Sequence, residues 1–278
     1  VCLLSTHGRS ANLVGAVKSH HKTFTLLGKG ESVHVLCQEL MEYGLAHVTV
    51  HIGIQLGYED EKILGISFAT QGITSPDHTT VLYGNIMNNA GMKLEDFSQY
   101  LPYPCYLEHD SKSAAFLELW NHPKLDSAVV FLLNRNLGGA IITNHQIHQG
   151  SSMHSGTLEH MCINPDGPLC YCGNHGCLET YCSANALEQS AGMSIKEFFP
   201  LLREKKSPRL TKIWEDYLKH LAFAIKNLNL VIDAPVIISG YMAPYFTEED
   251  ISSLTEQINT SAPFLLKRNN ILVGTNGQ

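Results

Sequence analysis

Short apolar runs bounded by glycine and turn residues alternate along the chain with longer stretches whose apolar positions recur every three or four residues, a mixture that predicts an α/β fold. Residues 1–4, a turn at Gly8 and residues 12–17 read as a two-stranded hairpin. Residues 31–43 carry Val33, Val35, Leu36, Leu40 and Met41 at helical spacing, and 48–52 and 63–69 are strand candidates. A turn-rich stretch over 70–80 precedes a short helix candidate over 94–100. A strand over 105–108 runs into His109-Asp110, and residues 111–120 continue with Ala114, Ala115, Leu117 and Leu119 and no breaker. Asp110 therefore falls at a strand-to-helix junction, where α/β folds hold ligands. Residues 127–133, a turn over 134–139 and residues 140–143 predict a second hairpin. Ile213, Tyr217, Leu221, Ile225 and Leu228 form one helical stripe ended before Pro235, and 236–240 reads as a buried strand entering a turn. Two hairpin-led halves predict two domains, 1–108 and 109–278, with the boundary near Glu108.

Composition narrows the class. The chain has 278 residues, 44% hydrophobic and 16% charged, enough apolar material for one large core or two modest ones and too much for a disordered chain. Its longest purely apolar run, residues 128–133, is far short of the roughly 20 residues of a membrane helix. A cytoplasmic protein without membrane contact is expected. With 26 acidic against 19 basic residues there is no general phosphate-binding field, so nucleic acid would have to be bound by a separate basic element. The chain opens on Val1 and stops on a turn-like Gly-Thr-Asn-Gly-Gln after Ile271-Leu272-Val273, which leads us to expect a piece trimmed at the N-terminus or at both ends.

Four of the eight cysteines lie between Cys162 and Cys177, a clustering that favours metal over disulfides. Cys170, Cys172 and Cys177 sit in a loop with two glycines that let the backbone wrap tightly, and His160 lies ten positions before the first of them. Zinc takes four N or S ligands in a tetrahedron, and Cys₃His is a common closed, structural set. His175 is an alternative fourth ligand. The bland reading is a group of reduced cysteines with ordinary packing, but three thiols seldom crowd into a polar Gly-Asn-His loop merely to pack.

The segment from Glu159-His160-Met161 to Cys170-Tyr171-Cys172-Gly173-Asn174-His175-Gly176-Cys177-Leu178-Glu179-Thr180 resembles the zinc signature of the ROK family, which contains bacterial sugar kinases and sugar-responsive repressors. The resemblance implies an actin-like (ribonuclease H-like) fold of two α/β domains with a sugar cleft between them, a structural zinc, and a homodimer. It places zinc binding and a sugar contact on His160, and a second sugar contact on Glu179. Thr157 stands where the kinases keep another sugar-binding Glu. His109-Asp110 matches an Asn-Asp pair, so Asp110 takes the position of the catalytic base and His109 that of a sugar-binding amide. Asp110 would also make a helix cap, and Glu179 a favourable charge at a helix start. His109, with a side chain that ordinarily titrates near neutrality, is expected to make binding pH-sensitive. Asn85, Asn88 and Asn89 lie near a further sugar-binding Asn of the kinases.

On the phosphate side the residue types depart from the kinase pattern. Ser5-Thr6-His7-Gly8-Arg9 replaces an Asp-x-Gly-Gly-Thr hairpin, Asn134-Arg135-Asn136-Leu137-Gly138-Gly139-Ala140 replaces a glycine-rich loop, and Ser239-Gly240 replaces a Gly-Gly pair. Arg9 and Arg135 are candidate phosphate ligands, though no metal-holding carboxylate accompanies them. A retained sugar side with an eroded nucleotide side, together with the Glu108-His109-Asp110 triplet, resembles the branch typified by xylose and N-acetylglucosamine repressors. That branch carries a helix-turn-helix upstream of this domain, and DNA would be reached only through it. The expected function is a sugar-sensing effector domain that does not phosphorylate its ligand. The alternative is an ATP- and magnesium-dependent hexose or N-acetylhexosamine kinase with Asp110 as general base. A third possibility is a protein-docking scaffold without sugar.

Overall fold

The structure is a computed structural model that describes residues 2–5, 23–26, 65–99, 101 and 103–274. β1 (Cys2–Ser5) pairs in parallel with β2 (Thr23–Leu26), Cys2 opposite Thr23. A parallel pair needs a crossover rather than a tight turn; the hairpin expected from residues 1–17, with its turn at Gly8, lies largely outside the described residues. Residues 12–17, 31–43 and 48–52, with the elements expected there, lie outside the described residues.

β3 (Ile66–Thr70), β4 (Ile73–Thr74), β5 (Val81–Tyr83), α1 (Glu95–Ser98) and β6 (Cys105–His109) follow. β3 and β6 are parallel, with Thr70 opposite His109. β4 lies inside the stretch read as turns and pairs antiparallel with β5 just after it; a two-residue strand leaves no periodicity to see. Its loop is tied by Ser75 and Asp77: the Ser75 hydroxyl donates to Asp77 Oδ1 at 2.5 Å, and the Thr79 hydroxyl donates to the same oxygen at 2.8 Å.

α2 (Asp110–Asn121) starts directly at the end of β6. Then come β7 (Ala128–Leu133), β8 (Leu137–Thr143) and β9 (Gln146–Ile147), the helices α3 (Glu179–Cys182), α4 (Ala184–Ala191), α5 (Ile195–Arg203) and α6 (Pro208–Asn229), β10 (Val236–Ser239), α7 (Glu248–Asn259) and β11 (Ile271–Val273). The five strands form one sheet in the order β11-β10-β7-β8-β9, with β10 parallel to β7 and β11, and β8 antiparallel to β7 and β9. β7 is buried along its whole length, as expected of a central strand covered on both faces. Val129, Phe131 and Leu133 point into the larger core with Leu178, Leu187, Phe198, Leu221 and Ile225. Ala128 and Val130 join Ala115, Ala140, Ile142 and Ile237 on the other face, under α2. α6 realises the stripe seen in the sequence, with Tyr217, Leu221 and Ile225 buried. Among the described residues no helix is long and apolar enough to cross a membrane.

The β7–β8 turn is shorter than expected. Leu137, Gly138 and Gly139 belong to β8, so the turn reduces to Asn134-Arg135-Asn136. The glycines are needed for close packing rather than for turning: a Cβ on Gly138 would lie 2.1 Å from the Ser111 hydroxyl, and one on Gly139 would lie 2.4 Å from Leu158. This lets β8 come up against the start of α2 and against the segment that carries His160.

Candidate functional site

Three pieces of chain converge at the end of β6. The first is the β6–α2 junction. His109 is the N-cap of α2 but gives no side-chain cap bond, and Asp110, expected as the cap, is the first helical residue. Asp110 Oδ1 instead accepts from the Ser111 amide at 2.7 Å and the Ser111 hydroxyl at 3.2 Å, in the helix's electropositive first turn. His109 Nε2 lies 3.4 Å from the same oxygen. His109 is 8% exposed, and burial holds its pKa below the ordinary value of 6.5 despite the pull of Asp110. The expected charge change near neutrality is therefore moved to more acid pH, because the imidazolium has lost its water.

The second piece is the β7–β8 corner. Glu179, in the first turn of α3 and 6% exposed, accepts the Leu137 amide at 2.6 Å on one oxygen and the Asn136 amide side chain at 2.8 Å on the other. Burial raises its pKa, and these two bonds oppose the rise. Asn134 Oδ1 accepts the Tyr241 amide at 2.7 Å, which ties the corner to the turn after β10. That turn needs Gly240: its φ is +88°, and a Cβ would meet Asn134 Oδ1 at 2.6 Å. The carbonyls of Asn134 and Arg135 accept from the Ala184 and Asn185 amides at the start of α4.

The third piece is the cysteine loop. A single 3-10 turn over Leu158–His160 leads into it, and bridges between Cys162 and Cys177 and between Leu169 and His175 fold it back on itself. Gly176 has a φ of +67°, and a Cβ there would overlap the Asn164 carbonyl. Ligand atoms of His160, Cys170, Cys172 and Cys177 all lie within 4.8 Å of one another. A tetrahedral ion with metal–sulfur bonds of about 2.3 Å sets its ligand atoms about 3.8 Å apart. The sulfurs of Cys172 and Cys177 are 3.6 Å apart, and Cys170 Sγ is 3.9 Å from His160 Nδ1. This donor set can hold a metal ion. The alternative ligand His175 turns its Nδ1 to the Gly167 carbonyl at 2.9 Å and stands outside the group.

Between these pieces and the β4–β5 hairpin lies a cleft with about 530 Å³ of empty space, counting its open mouth. His109, Asp110, Thr157 and His160 line it on one side, and Tyr83 and Asn85 on the other. Glu179 is absent from this lining and sits behind the corner. Of the three asparagines singled out, Asn85 faces the cleft. Asn89 braces the hairpin by donating to Thr70 Oγ1 at 2.9 Å and to the Gln71 carbonyl at 3.1 Å, and Asn88 is a turn residue with φ +49°.

Two cleft residues escaped the sequence reading. Tyr171, read only as part of the loop, packs its ring against His160 with centroids 5.2 Å apart. Glu159 lines the cleft at 6% exposure with no hydrogen-bond partner for its Oε2. Burial pushes its carboxyl up to about 8, with Asp110 and Glu179 adding smaller upward contributions. The available signal was an acid beside the signature histidine; its burial could not be read from the chain.

An α/β sheet with a ligand cleft at a strand-to-helix junction, faced by a second set of strands, is the actin-like two-domain arrangement. It is shared with a ROK-family glucokinase from Streptomyces griseus solved with glucose and AMPPNP, which is similar at a TM-score of 0.69 and 19% identity over 88% of this chain and 83% of that one. The chain belongs to the ROK family, whose profile matches residues 30–263. It is 26% identical over 183 residues to N-acetylmannosamine kinase of Vibrio cholerae, covering 63% of each. It is 27% identical over 197 residues to the N-acetylglucosamine repressor of Escherichia coli, covering 66% of this chain and 48% of the repressor. The chain thus spans less than two thirds of the length of either relative.

Glu179→Ala leaves a buried backbone donor and a side-chain amide without partners, a loss of about 2–3 kcal/mol for charge-assisted bonds. Urea unfolding is expected to show a fall of that size, and an unchanged midpoint would remove the bracket from this account.

Proposed function

We propose that the chain is the sugar-binding effector domain of a ROK-family transcriptional regulator, taking a sugar or sugar derivative into the cleft without phosphorylating it. The observation that carries this reading is the state of the β7–β8 corner. Phosphoryl transfer relies on free amides and small residues around the phosphates. At this corner the Leu137 amide and the Asn136 side chain are engaged by Glu179, and the neighbouring Tyr241 amide by Asn134. Asn134 and Asn136 add bulk where the kinase pattern has glycine, and Arg135 stands where it has threonine. Residues 6–9, whose types also depart from the kinase pattern, lie outside the described residues.

In this reading Asp110 accepts a sugar hydroxyl, and His160, Thr157 and His109 shape the rest of the contact surface. Glu179 acts as a positioning residue that holds Asn136 and Leu137. The four-donor group holds a structural zinc, with His160 engaged through Nδ1 so that the far side of its ring remains toward the cleft. The metal fixes the loop and does no chemistry. Residues 1–108 and 109–278 are the two lobes, and sugar bound between them favours one lobe arrangement. A preference of roughly 1–3 kcal/mol is enough to couple the cleft to a distant partner. We take that partner to be DNA, reached through a helix-turn-helix outside this chain, with a cytoplasmic homodimer as the working unit. The kinase reading, with ATP, magnesium and Asp110 as base, is favoured by one observation: Asp110 lines the cleft, where a base must stand.

The test pairs calorimetric titration with a panel of hexoses and N-acetylhexosamines and an assay for ADP release from the same sugars with ATP and magnesium. Binding without ADP release is expected, and Asp110→Asn should weaken binding about tenfold or more, or about 1.4 kcal/mol. Sugar-dependent ADP release that Asp110→Asn abolishes would establish the kinase instead. Separately, the purified chain should carry about one zinc ion, and Cys177→Ser should lose it and unfold at lower temperature. Full zinc content in that variant would remove Cys177 from the ligand set.

A further inference from the structure

The two segments that close the cysteine loop meet at an antiparallel bridge between Cys162 and Cys177. The Ile163 amide donates to the Gly176 carbonyl and the Leu178 amide to the Met161 carbonyl, each at 2.9 Å, so the hydrogen bonds fall on the neighbours of the two cysteines. Cys162 and Cys177 are therefore a non-hydrogen-bonded pair, the closer kind of cross-strand pairing, with Cα atoms about 4.5 Å apart and side chains on one face. A disulfide spans Cα separations of about 4.4 to 6.8 Å. The two thiols differ in access. Cys162 is exposed, its thiol donates to the His175 carbonyl at 3.5 Å, and it is not one of the four grouped donors. Cys177 is fully buried, and its sulfur lies 3.6 Å from that of Cys172 within the group. An oxidant in solution meets Cys162 first, and the thiol facing it across the bridge is one that the metal needs.

We propose that Cys162 is an oxidation site for peroxides, which takes Cys177 out of the donor set as a disulfide and so releases the metal. The inference rests on the zinc reading of the four-donor group and is independent of the sugar. In the first step the Cys162 sulfur attacks one oxygen of hydrogen peroxide; an S–O bond forms, the O–O bond breaks, and water leaves with the thiol's proton. The Cys177 sulfur then attacks the sulfenic sulfur, so that the S–S bond forms and the S–O bond breaks, and the departing hydroxide takes a proton from solvent. The two sulfurs have given up two electrons, and the peroxide has become two waters. Turning the Cys177 side chain about its Cα–Cβ bond swings its sulfur from Cys172 toward Cys162, because the pairing already sets both side chains on one face. Three donors remain, one short of a closed tetrahedral site, and the loop loses its anchor. Cys177 stands two residues before Glu179, so the change reaches the β7–β8 corner.

The experiment treats the purified, zinc-loaded chain with hydrogen peroxide, follows zinc release with a chromogenic chelator, and maps disulfides by mass spectrometry after the remaining thiols are alkylated. The released fraction is expected to carry a Cys162–Cys177 cross-link, and dithiothreitol with added zinc should restore the metal. Cys162→Ser keeps all four donors, so it should hold zinc and unfold at the wild-type temperature while releasing zinc about tenfold more slowly or worse. A cross-link that joins Cys177 to Cys172 instead, or zinc release from Cys162→Ser at the wild-type rate, overturns the proposal and leaves the zinc reading standing. Retention of zinc by a wild-type chain that carries the Cys162–Cys177 cross-link also overturns it. A chain that binds no zinc overturns both. The wild-type cross-link map is decisive by itself if the variant does not fold.

Discussion

The buried carboxylate of Glu179 is the contact on which the rest of the site depends. It lies in the first turn of α3, two residues beyond the last cysteine of the loop, and reaches under the β7–β8 corner to take the Leu137 amide and the Asn136 side chain. One residue thereby joins the cysteine loop, the helical layer and the central sheet. Burial alone would raise its proton affinity, and the two donors oppose that rise. A bond that holds the corner in this way also occupies donors that a phosphate would have to find free. The same contact therefore supports the shape of the cleft and argues against one kind of occupant.

The two sides of the cleft differ in what they leave unsatisfied. At the corner, the Leu137 and Tyr241 amides have protein partners. On the side formed by the β6–α2 junction and the segment before the cysteine loop, Asp110 stands at a helix start and Glu159 keeps an oxygen without a partner. His109 fits this pattern as a neutral ring, since burial outweighs its carboxylate neighbour.

Much of this was legible in the sequence, for identifiable reasons. β6, α2, β7, α6 and β10 each carry a pattern long enough to fix their type, and Asp110 could be set at a strand-to-helix junction from pattern alone. The four-donor group was legible because metal ligation demands few residue types at close spacing. What escaped depended on contacts between distant segments. Gly138 and Gly139 look like turn residues, but they belong to β8 because Ser111 and Leu158 press on them. Glu179 reads as a ligand contact by its place in the signature, yet its oxygens are turned to residues about 40 positions away in sequence. Glu159 was passed over because nothing local tells a buried acid from an exposed one.

The account stands on the claim that the nucleotide side of the cleft no longer receives phosphates. Its most direct test is calorimetric titration of the purified, zinc-loaded chain with ATP and magnesium, which requires no knowledge of the sugar. No heat of binding up to millimolar nucleotide, with the fold intact, is the result the account expects. Micromolar binding of ATP would contradict it, because the amides and space now held by Glu179 and Asn134 would then have to be available to a triphosphate.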